Sequence, residues 1–338
     1  MKILVTGGTG YIGSHTVVEL QKKGFEVIIA DNLSNSSIDV VDNIATITGI
    51  KPLFEKIDLS EPDPTQDLFN RYPGLNAVIH FAAYKAVGES VLHPLKYYRN
   101  NLGSLMNLIR EMETHGIRDM VFSSSCTVYG QPDVLPVTES APIKKAASPY
   151  GNTKQIAEEI ITDVSKATAL KAVLLRYFNP IGSHESALIG ELPLGVPNNL
   201  MPFITQTAIG KQDCLSVFGK DYNTPDGTAI RDYIHVVDLA KAHVISIERM
   251  LQGENKQKVE VFNLGTGIGY SVLDVIKSFE RTTKERLTYK FVERRQGDVQ
   301  EVWADTKFAN RELGWKAERG LDEMTLSAWR WEQKLNEK

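Results

Sequence analysis

The chain has 338 residues, of which 42% are hydrophobic and 24% are charged, and its formal net charge at pH 7 is −4. This composition predicts a folded chain with a substantial core in one or two domains. The acidic balance argues against the basic surface that nucleic acids and anionic membranes require, so we expect no partner of either kind.

Other features of the chain favour a cytoplasmic protein. No signal-peptide pattern precedes the first predicted strand, and no apolar run reaches the roughly 18 residues that span a bilayer. The two cysteines, Cys126 and Cys214, do not suggest a disulfide framework. The seven histidines form no metal-binding motif, so we expect no metal.

Short β-branched segments alternate with amphipathic segments through the first half of the chain. The predicted strands are Lys2–Val5, Glu26–Ala30, Leu53–Ile57, Ala77–Phe81, Met120–Phe122 and Ala172–Arg176. The clearest predicted helices are Tyr11–Lys23, Pro94–His115 and Tyr150–Ala167. Strands separated by helices indicate right-handed crossovers and a parallel sheet.

The second half of the chain has a different pattern. The segment Asn179–Pro202 is rich in Gly, Pro and Asn and is predicted to be a loop. A strand is predicted at Val261–Asn263. Helices are predicted near Asp238–Leu251, Ser271–Lys284, Thr306–Leu313 and Leu321–Lys334. These elements indicate a smaller α/β lobe.

A glycine-rich turn joins the first strand to the first helix. Gly7, Gly10 and Gly13 have the spacing of a dinucleotide-binding turn, in which the backbone must approach a pyrophosphate at a helix N-terminus. An ordinary strand–helix turn is the alternative. Because the turn directly follows the first strand, we predict an α/β fold with a Rossmann-type doubly wound parallel sheet and a smaller C-terminal α/β substrate lobe. The predicted domains are 1–180 for NAD and 181–338 for the substrate, with a segment near 235–265 as a candidate for returning to the first.

Polar residues after the next strands complete the predicted cofactor site. Asp31 lies just past strand two, where a carboxylate can bind the adenosine ribose and repel a 2′-phosphate, which favours NAD over NADP. A helix N-cap is the alternative role for Asp31. Further polar groups follow at Asn32, Asn35 and Ser36. Asp58 and Leu59 are placed to meet the adenine, and Phe81 and Ala82 follow strand four.

Tyr150 and Lys154 form the candidate catalytic pair. They are four residues apart at the start of a predicted helix, so both side chains lie on one face. A nearby ammonium and a positive nicotinamide ring would lower the pKa of the phenol and make Tyr150 a usable general base. Ser125, the last of three serines that end strand five, is the candidate proton relay. The serines could instead be small residues at a crowded strand end.

Nine motifs, in chain order, resemble the UDP-glucose 4-epimerases of the extended short-chain dehydrogenase family. They are GGTGYIGSHT, DNLSNSS, IHFAAYKAVGESV, FSSSCTVYG, SPYGNTK, RYFNPIG, NNLMPFI, RDYIHVVDLA and RRQGDVQEVWAD. The resemblance implies reversible C4 epimerisation of UDP-glucose and UDP-galactose, through a transient 4-keto sugar with bound NAD. It also implies a homodimer built from the helices near Pro94–His115 and Tyr150–Ala167.

The resemblance also assigns residues to the two ligands. It implies that NAD is bound by Gly7, Gly10, Tyr11, Ile12, Asp31, Asn32, Asn35, Ser36, Asp58, Leu59, Phe81, Ala82, Lys85, Asn100, Tyr150, Lys154 and Phe178. It implies that the UDP-sugar is bound by Lys85, Ser125, Tyr150, Asn179, Asn199, Leu200, Phe218, Arg231, Tyr233, Arg295 and Asp298. Arginine offers planar donors suited to a diphosphate, whereas surface salt bridges are the alternative role.

The resemblance makes Val302 a candidate determinant of substrate range. Some relatives carry a large aromatic side chain at this position, before Trp303. Valine would leave room for an N-acetyl group, so UDP-N-acetylhexosamines are candidate substrates. Core packing is the alternative role for Val302.

Three other functions compete with epimerisation. A 4,6-dehydratase would need an Asp-Glu pair after strand five, where this chain has Ser125-Cys126-Thr127. A simple nucleotide-sugar dehydrogenase would exchange NADH with solution. A non-catalytic redox sensor would have no need of the Tyr150–Lys154 pair.

Overall fold

The computed structural model describes residues 1–193, 195–295 and 298–337. Its strands, in chain order, are β1 (Lys2–Thr6), β2 (Glu26–Asp31), β3 (Leu53–Lys56), β4 (Leu75–His80), β5 (Asp119–Ser125), β6 (Lys171–Tyr177), β7 (Asn179–Ile181), β8 (Leu215–Phe218), β9 (Ile230–His235), β10 (Val259–Leu264), β11 (Gly269–Ser271), β12 (Tyr289–Val292) and β13 (Glu301–Val302). Its helices are α1 (Tyr11–Lys22), α2 (Asp39–Thr48), α3 (Pro62–Arg71), α4 (Val87–Leu92), α5 (Pro94–Thr114), α6 (Pro149–Ala167), α7 (Leu200–Ala208), α8 (Val236–Leu251), α9 (Val272–Thr283), α10 (Lys307–Glu312) and α11 (Leu321–Asn336), with a 3₁₀ turn at Cys126–Tyr129.

The largest sheet has seven strands in the order β10–β6–β5–β4–β1–β2–β3. Strand β1 lies between β2 and β4 and is parallel to both, with Lys2 beside Glu26 and Leu75. The pairs β2–β3, β4–β5 and β5–β6 are also parallel. The strand order reverses at β1, which is the topological switch point where such sheets bind ligands at the carboxyl ends of their strands. The predicted Rossmann-type fold is confirmed.

Local sequence explains how the helices beside this sheet begin and what they bury. Proline starts α5 and α6, where its missing N–H costs no hydrogen bond. The Ser148 side chain caps α6 by accepting a hydrogen bond from the Gly151 backbone. Apolar side chains from β1, β4 and β5 pack with Leu108 of α5 and Ile161 of α6 in one core.

Contacts between residues divide the chain into two compact units. Unit 1 comprises Met1–Gly130, Pro142–Tyr177 and Ala240–Phe262, and unit 2 comprises Gln131–Ala141, Phe178–Leu239 and Asn263–Lys338. The segment 131–141 therefore belongs to unit 2, although the sequence prediction placed it before the boundary at 180. The assignment of NAD to one domain and the UDP-sugar to the other stays a prediction.

Unit 2 contains two small sheets. Strand β9 pairs with β7 and β13 in parallel and with β11 in antiparallel orientation, and β8 pairs with β12 in parallel. Ile204, Val217, Tyr233, Phe279 and Trp329 are members of a separate core. The prediction of a loop over 179–202 was wrong at both ends, because β7 begins at its first residue and α7 begins at position 200.

The described part of the chain holds neither a long apolar helix nor a cluster of metal-binding side chains. Within it, no helix combines the length and apolar character needed to cross a bilayer. Across residues 1–193, 195–295 and 298–337, no three His, Cys, Asp or Glu side chains come together as a set of metal ligands. Cys126 and Cys214 are not joined by a disulfide.

Candidate active site

The glycine turn between β1 and α1 has no room for a side chain at Gly7 or Gly13. Gly7 has a φ of 68°, and a Cβ there would lie 2.8 Å from the Ala82 backbone nitrogen. A Cβ on Gly13 would lie 2.2 Å from the Gly7 carbonyl oxygen. Gly10 precedes the first residue of α1, Tyr11, which is followed by Ile12. The turn therefore leaves the backbone at a helix N-terminus bare, as a pyrophosphate requires.

Asp31 lies beside this turn at the end of β2. Its carboxylate accepts hydrogen bonds from the backbone nitrogens of Thr9 at 3.2 Å and Leu33 at 2.9 Å. Ser36 reaches the same carboxylate at 3.3 Å and the Thr9 hydroxyl at 2.8 Å. Asp31 is thus fixed next to the glycine turn, which is where the predicted ribose contact needs it.

The other predicted cofactor residues of unit 1 surround the carboxyl ends of its strands. The Asn32 amide donates to Asp58 at 3.4 Å, Asn35 is exposed, and Leu59 is buried. The Phe81 and Ala82 backbones donate to Thr6 at 3.0 and 3.3 Å. Lys85 lies 5.9 Å from the Tyr11 ring centroid, and Asn100 donates to Asn101 at 2.9 Å. Phe178, which is buried, is the exception because it begins a segment of unit 2.

Tyr150 and Ser125 are brought together by α6 and β5. The Ser125 hydroxyl accepts a hydrogen bond from the Thr127 backbone at 3.2 Å, and its effect on the Tyr150 phenol favours the phenolate by lowering its pKa. Burial has the larger effect and raises the pKa of Tyr150, and the nearby Tyr177 adds to the rise. We expected Lys154 to lower the pKa of Tyr150, but in the protein by itself Lys154 is not among the groups that shift it. Lys154 instead donates to the Ser123 carbonyl oxygen at 2.6 Å.

Burial also sets the charge state of two bases in this region. It lowers the pKa of Lys154 to about 8, against the opposing attraction of Glu158. It lowers the pKa of His80 to about 3, helped by the charge of Lys154. His80 is therefore neutral at pH 7, bonded through Nδ1 to the Thr6 hydroxyl at 2.7 Å. Lys154 keeps most of its ammonium at pH 7.

Unit 2 contains the predicted arginines, and their environments differ. Arg231 forms an ion pair with Asp298 and donates to the carbonyl oxygens of Ile230 at 2.8 Å and Val299 at 2.6 Å. Arg295 is half exposed, its guanidinium lies 4.8 Å from the Phe218 ring centroid, and one bond of 3.3 Å joins it to Asp298. Arg295 is thus the more accessible cation, whereas Arg231 positions Asp298.

The remaining predicted substrate residues of unit 2 lie on β7, β9, β13 and the start of α7. Asn179 pairs with Tyr233 across β7 and β9, and burial raises the pKa of Tyr233 to about 12. Asn199 immediately precedes Leu200, the first residue of α7, and donates to Glu191 at 2.6 Å. Val302 pairs with Arg231 across β13 and β9 and is only 5% exposed.

A buried group of charged side chains beside Lys154 was not predicted from the sequence. Glu158 accepts from Arg176 at 3.0 and 2.6 Å and from Ser124 at 2.5 Å. The spacing of Lys154 and Glu158, four residues apart on one helix face, was the available signal for half of this group. The partners of Glu158 lie on two strands, so local spacing gives no signal for them.

Comparisons with known proteins decide the family. The sequence profile described as GDP-mannose 4,6 dehydratase matches residues 4–327. A UDP-glucose 4-epimerase of Bacillus subtilis is 51% identical over 333 residues, which cover 98% of this chain and 97% of that protein. The chain belongs to the UDP-glucose 4-epimerase family.

Solved structures of UDP-glucose 4-epimerases have the same fold. The enzyme of Stenotrophomonas maltophila, solved with NAD and formylated UDP-arabinopyranose, has a TM-score of 0.95 and 45% identity, with 100% of this chain and 99% of that chain covered. The enzyme of Bifidobacterium longum, solved with NAD+ and UDP, has a TM-score of 0.95 and 46% identity, with 99% and 98% covered. The epimerase family predicted from the motifs is confirmed.

Proposed function

We propose that this chain is an NAD-dependent UDP-glucose 4-epimerase that interconverts UDP-glucose and UDP-galactose by inverting C4 of the hexose. The observation that carries the proposal is the placement of Tyr150 at the start of α6 with Ser125 acting on its phenol from the end of β5, and with Lys154 one turn further along α6. This is the proton-transfer apparatus that oxidation of a secondary alcohol requires. It occurs in a chain that is 51% identical over nearly its whole length to a UDP-glucose 4-epimerase.

The residues around the glycine turn fit NAD. The turn excludes side chains, α1 presents its N-terminus, and Asp31 is fixed beside both. The pyrophosphate would lie against Gly7, Gly10 and Tyr11, and Asp31 would bind the adenosine ribose. When bound, NAD supplies a hydride acceptor for C4 of the hexose and a hydride donor for the return step.

The protein's own part in catalysis is proton transfer at Tyr150. The phenolic oxygen of Tyr150 takes the proton of the C4 hydroxyl and later returns it, and the Ser125 hydroxyl relays it. Lys154 contributes a buried positive charge one turn along α6 from Tyr150. Because burial raises the pKa of Tyr150, the phenol stays protonated until further positive charge enters the site.

The substrate is held through its nucleotide by residues of unit 2. Arg295 is placed to bind the diphosphate, because its guanidinium is half exposed and has only one ion-pair partner among the described residues. Asp298 and Asn199 can accept hydrogen bonds from ribose or uracil, and Arg231 keeps Asp298 in place. Anchoring by the nucleotide leaves the hexose free to turn and present either face of C4.

The test is an isotope experiment with UDP-galactose carrying deuterium at C4. We expect UDP-glucose that retains the deuterium at C4, because the atom removed from one face is returned to the other. Deuterium that appears in free cofactor on every turnover would contradict the scheme. That outcome would instead support a simple dehydrogenase, which exchanges its reduced cofactor with solution.

The oligomeric state and location are part of the same proposal. The chain forms a homodimer through α5 and α6. Two apolar side chains of α5 support this proposal, because Leu95 is 81% exposed and Met106 is 51% exposed. Sedimentation velocity at micromolar concentration should give one species of twice the chain's mass, and a monomer would refute the dimer. The chain functions in the cytoplasm, which cell fractionation tests.

A further inference from the structure

Helix α6 is attached to the end of β5 by three side chains spaced one turn apart. Tyr150, Lys154 and Glu158 lie at intervals of four residues and therefore on one helix face. Each reaches a different member of the three serines 123–125. Lys154 donates to the carbonyl oxygen of Ser123 at 2.6 Å, and Glu158 accepts from the hydroxyl of Ser124 at 2.5 Å. The hydroxyl of Ser125 acts on the phenol of Tyr150 and lowers its pKa. Only Glu158 has no role in the proposed reaction.

The Glu158 carboxylate is buried and its charge is balanced by one residue of β6. Arg176 donates to it through Nε at 3.0 Å and through Nη2 at 2.6 Å. The remaining Nη1 of Arg176 donates to the Tyr129 hydroxyl at 2.9 Å, and the guanidinium lies 4.9 Å from the Tyr129 ring centroid. Glu158 and Arg176 are 5% and 6% exposed, so a desolvated, bidentate ion pair fixes α6 to β6.

Glu158 is also the only carboxylate that acts on Lys154 among the described interactions. From α6 itself, Lys154 is accompanied by the neutral phenol of Tyr150. From β4 it faces His80, which is neutral at pH 7. From β6, Arg176 is paired with Glu158, and Tyr177 is a neutral phenol bonded to Ser123 at 2.8 Å. Glu158 thus supplies the negative charge that opposes the loss of the Lys154 proton on burial.

We propose that Glu158 is a positioning residue for the Tyr150–Lys154 pair. It fixes the register of α6 on β5 through Ser124, and it stabilises the ammonium form of Lys154. Arg176 holds the Glu158 carboxylate in the required orientation. This inference rests on the proposed function, since it requires Tyr150 and Lys154 to act in catalysis.

The test compares Glu158→Gln with Glu159→Gln, a neighbour on α6 whose side chain is exposed. Both variants are measured for kcat and KM on UDP-galactose, for bound NAD, and for the pH dependence of kcat. In Glu158→Gln we expect kcat to fall between about tenfold and 10²-fold with little change in KM, because the reacting groups are displaced while the nucleotide contacts remain. The alkaline fall of kcat should move to lower pH by about one unit, because Lys154 loses a nearby carboxylate. Glu159→Gln should match the wild type.

A folded Glu158→Gln variant that matches Glu159→Gln in kcat and in its pH profile would overturn the proposal. Because an unpaired Arg176 can prevent folding, Ser124→Ala provides an independent test that keeps the ion pair. We expect it to lower kcat several-fold with an unchanged alkaline limb. Wild-type kcat in Ser124→Ala, together with an unfolded Glu158→Gln, would also overturn the proposal. Wild-type turnover in Tyr150→Phe would instead refute the proposed function.

Discussion

The Nζ atom of Lys154 lies 2.6 Å from the carbonyl oxygen of Ser123, two residues before Ser125, the serine that acts on Tyr150. The lysine is therefore held by the backbone of β5 and does not depend on the phenol for its position. Its ammonium also lies 4.7 Å from the Phe122 ring centroid, on the same strand. This arrangement separates the two roles: Tyr150 and Ser125 handle the proton, and Lys154 supplies charge from a fixed point.

The first prediction concerns Tyr150. Tyr150→Phe should fold, retain NAD and bind UDP, because the phenolic hydroxyl is the only group removed. It should lose at least ~10²-fold in kcat, the usual contribution of a general acid–base residue. Steady-state rates with UDP-galactose, beside a measurement of bound NAD, test this. Lys154→Ala is the comparison and should lose both rate and cofactor, since its charge acts on both. Near wild-type turnover by Tyr150→Phe would remove Tyr150 from the proton-transfer step.

The second prediction concerns His80 and acid stability. Its pKa is about 3 in the folded protein and 6.5 ordinarily, so between these values the unfolded chain binds more protons. The free energy of unfolding therefore rises with pH across this window. The contribution of His80 to stability is lost progressively as the pH falls below 6.5. From pH 6.5 to 5 the loss from His80 should be about 2 kcal/mol.

His80→Asn is the variant that isolates this effect, because asparagine can keep a hydrogen bond to Thr6 without titrating. Denaturant unfolding should show that the free energy of unfolding falls less between pH 6.5 and pH 5 in the variant than in the wild type. Equal differences would show that the His80 proton is not responsible.

Much of the fold follows from the sequence, because long elements carry strong periodic patterns. The predicted helix Pro94–His115 matches α5 within one residue, and Tyr150–Ala167 differs from α6 only at its first residue. Shorter elements gave no such signal. Strands β7 and β11 have three residues each, too few for an alternation to be recognised, and they exist because they pair with β9.

The site could be predicted only where its residues are close in sequence. The glycine turn and the pair formed by Tyr150 and Lys154 are local patterns. The pairing of Glu158 with Arg176 joins α6 to β6, and the ion pair of Arg231 with Asp298 joins residues 67 positions apart. Sequence spacing carries no information on such contacts, so the two arginines predicted for the diphosphate could not be distinguished before the structure.

The third prediction concerns the choice of cofactor. The protein should be purified with NAD bound, and a stripped sample should bind NAD in preference to NADP, because the Asp31 carboxylate repels a 2′-phosphate. Asp31→Ala should narrow the difference between the two affinities. Asp39→Ala, which removes an exposed carboxylate nearby, is the matched control and should leave the preference unchanged. Equal binding of both cofactors by the wild type would contradict the assignment of Asp31.

The fourth prediction concerns substrate range. If Val302 borders the hexose, its small side chain leaves space for an N-acetyl group, and the chain should epimerise UDP-N-acetylhexosamines as well. Val302→Tyr should then lower kcat/KM for UDP-N-acetylglucosamine by roughly 10–200-fold, the range of steric discrimination in a pocket, and spare UDP-galactose. Since Val302 is 5% exposed and sits in β13, a purely structural role would affect both substrates equally. That result, or a wild type inactive on UDP-N-acetylglucosamine, would refute the prediction.

The most direct test of the proposed epimerase is incubation of the purified protein with UDP-galactose alone, without added cofactor, followed by analysis of the sugars and of absorbance at the NADH band. We expect UDP-glucose to form until the two sugars reach equilibrium, without accumulation of free NADH. The same mixture should be approached when the reaction starts from UDP-glucose. A sample that carries NAD but forms no UDP-glucose, or one that releases NADH in proportion to UDP-galactose consumed, would contradict the proposal.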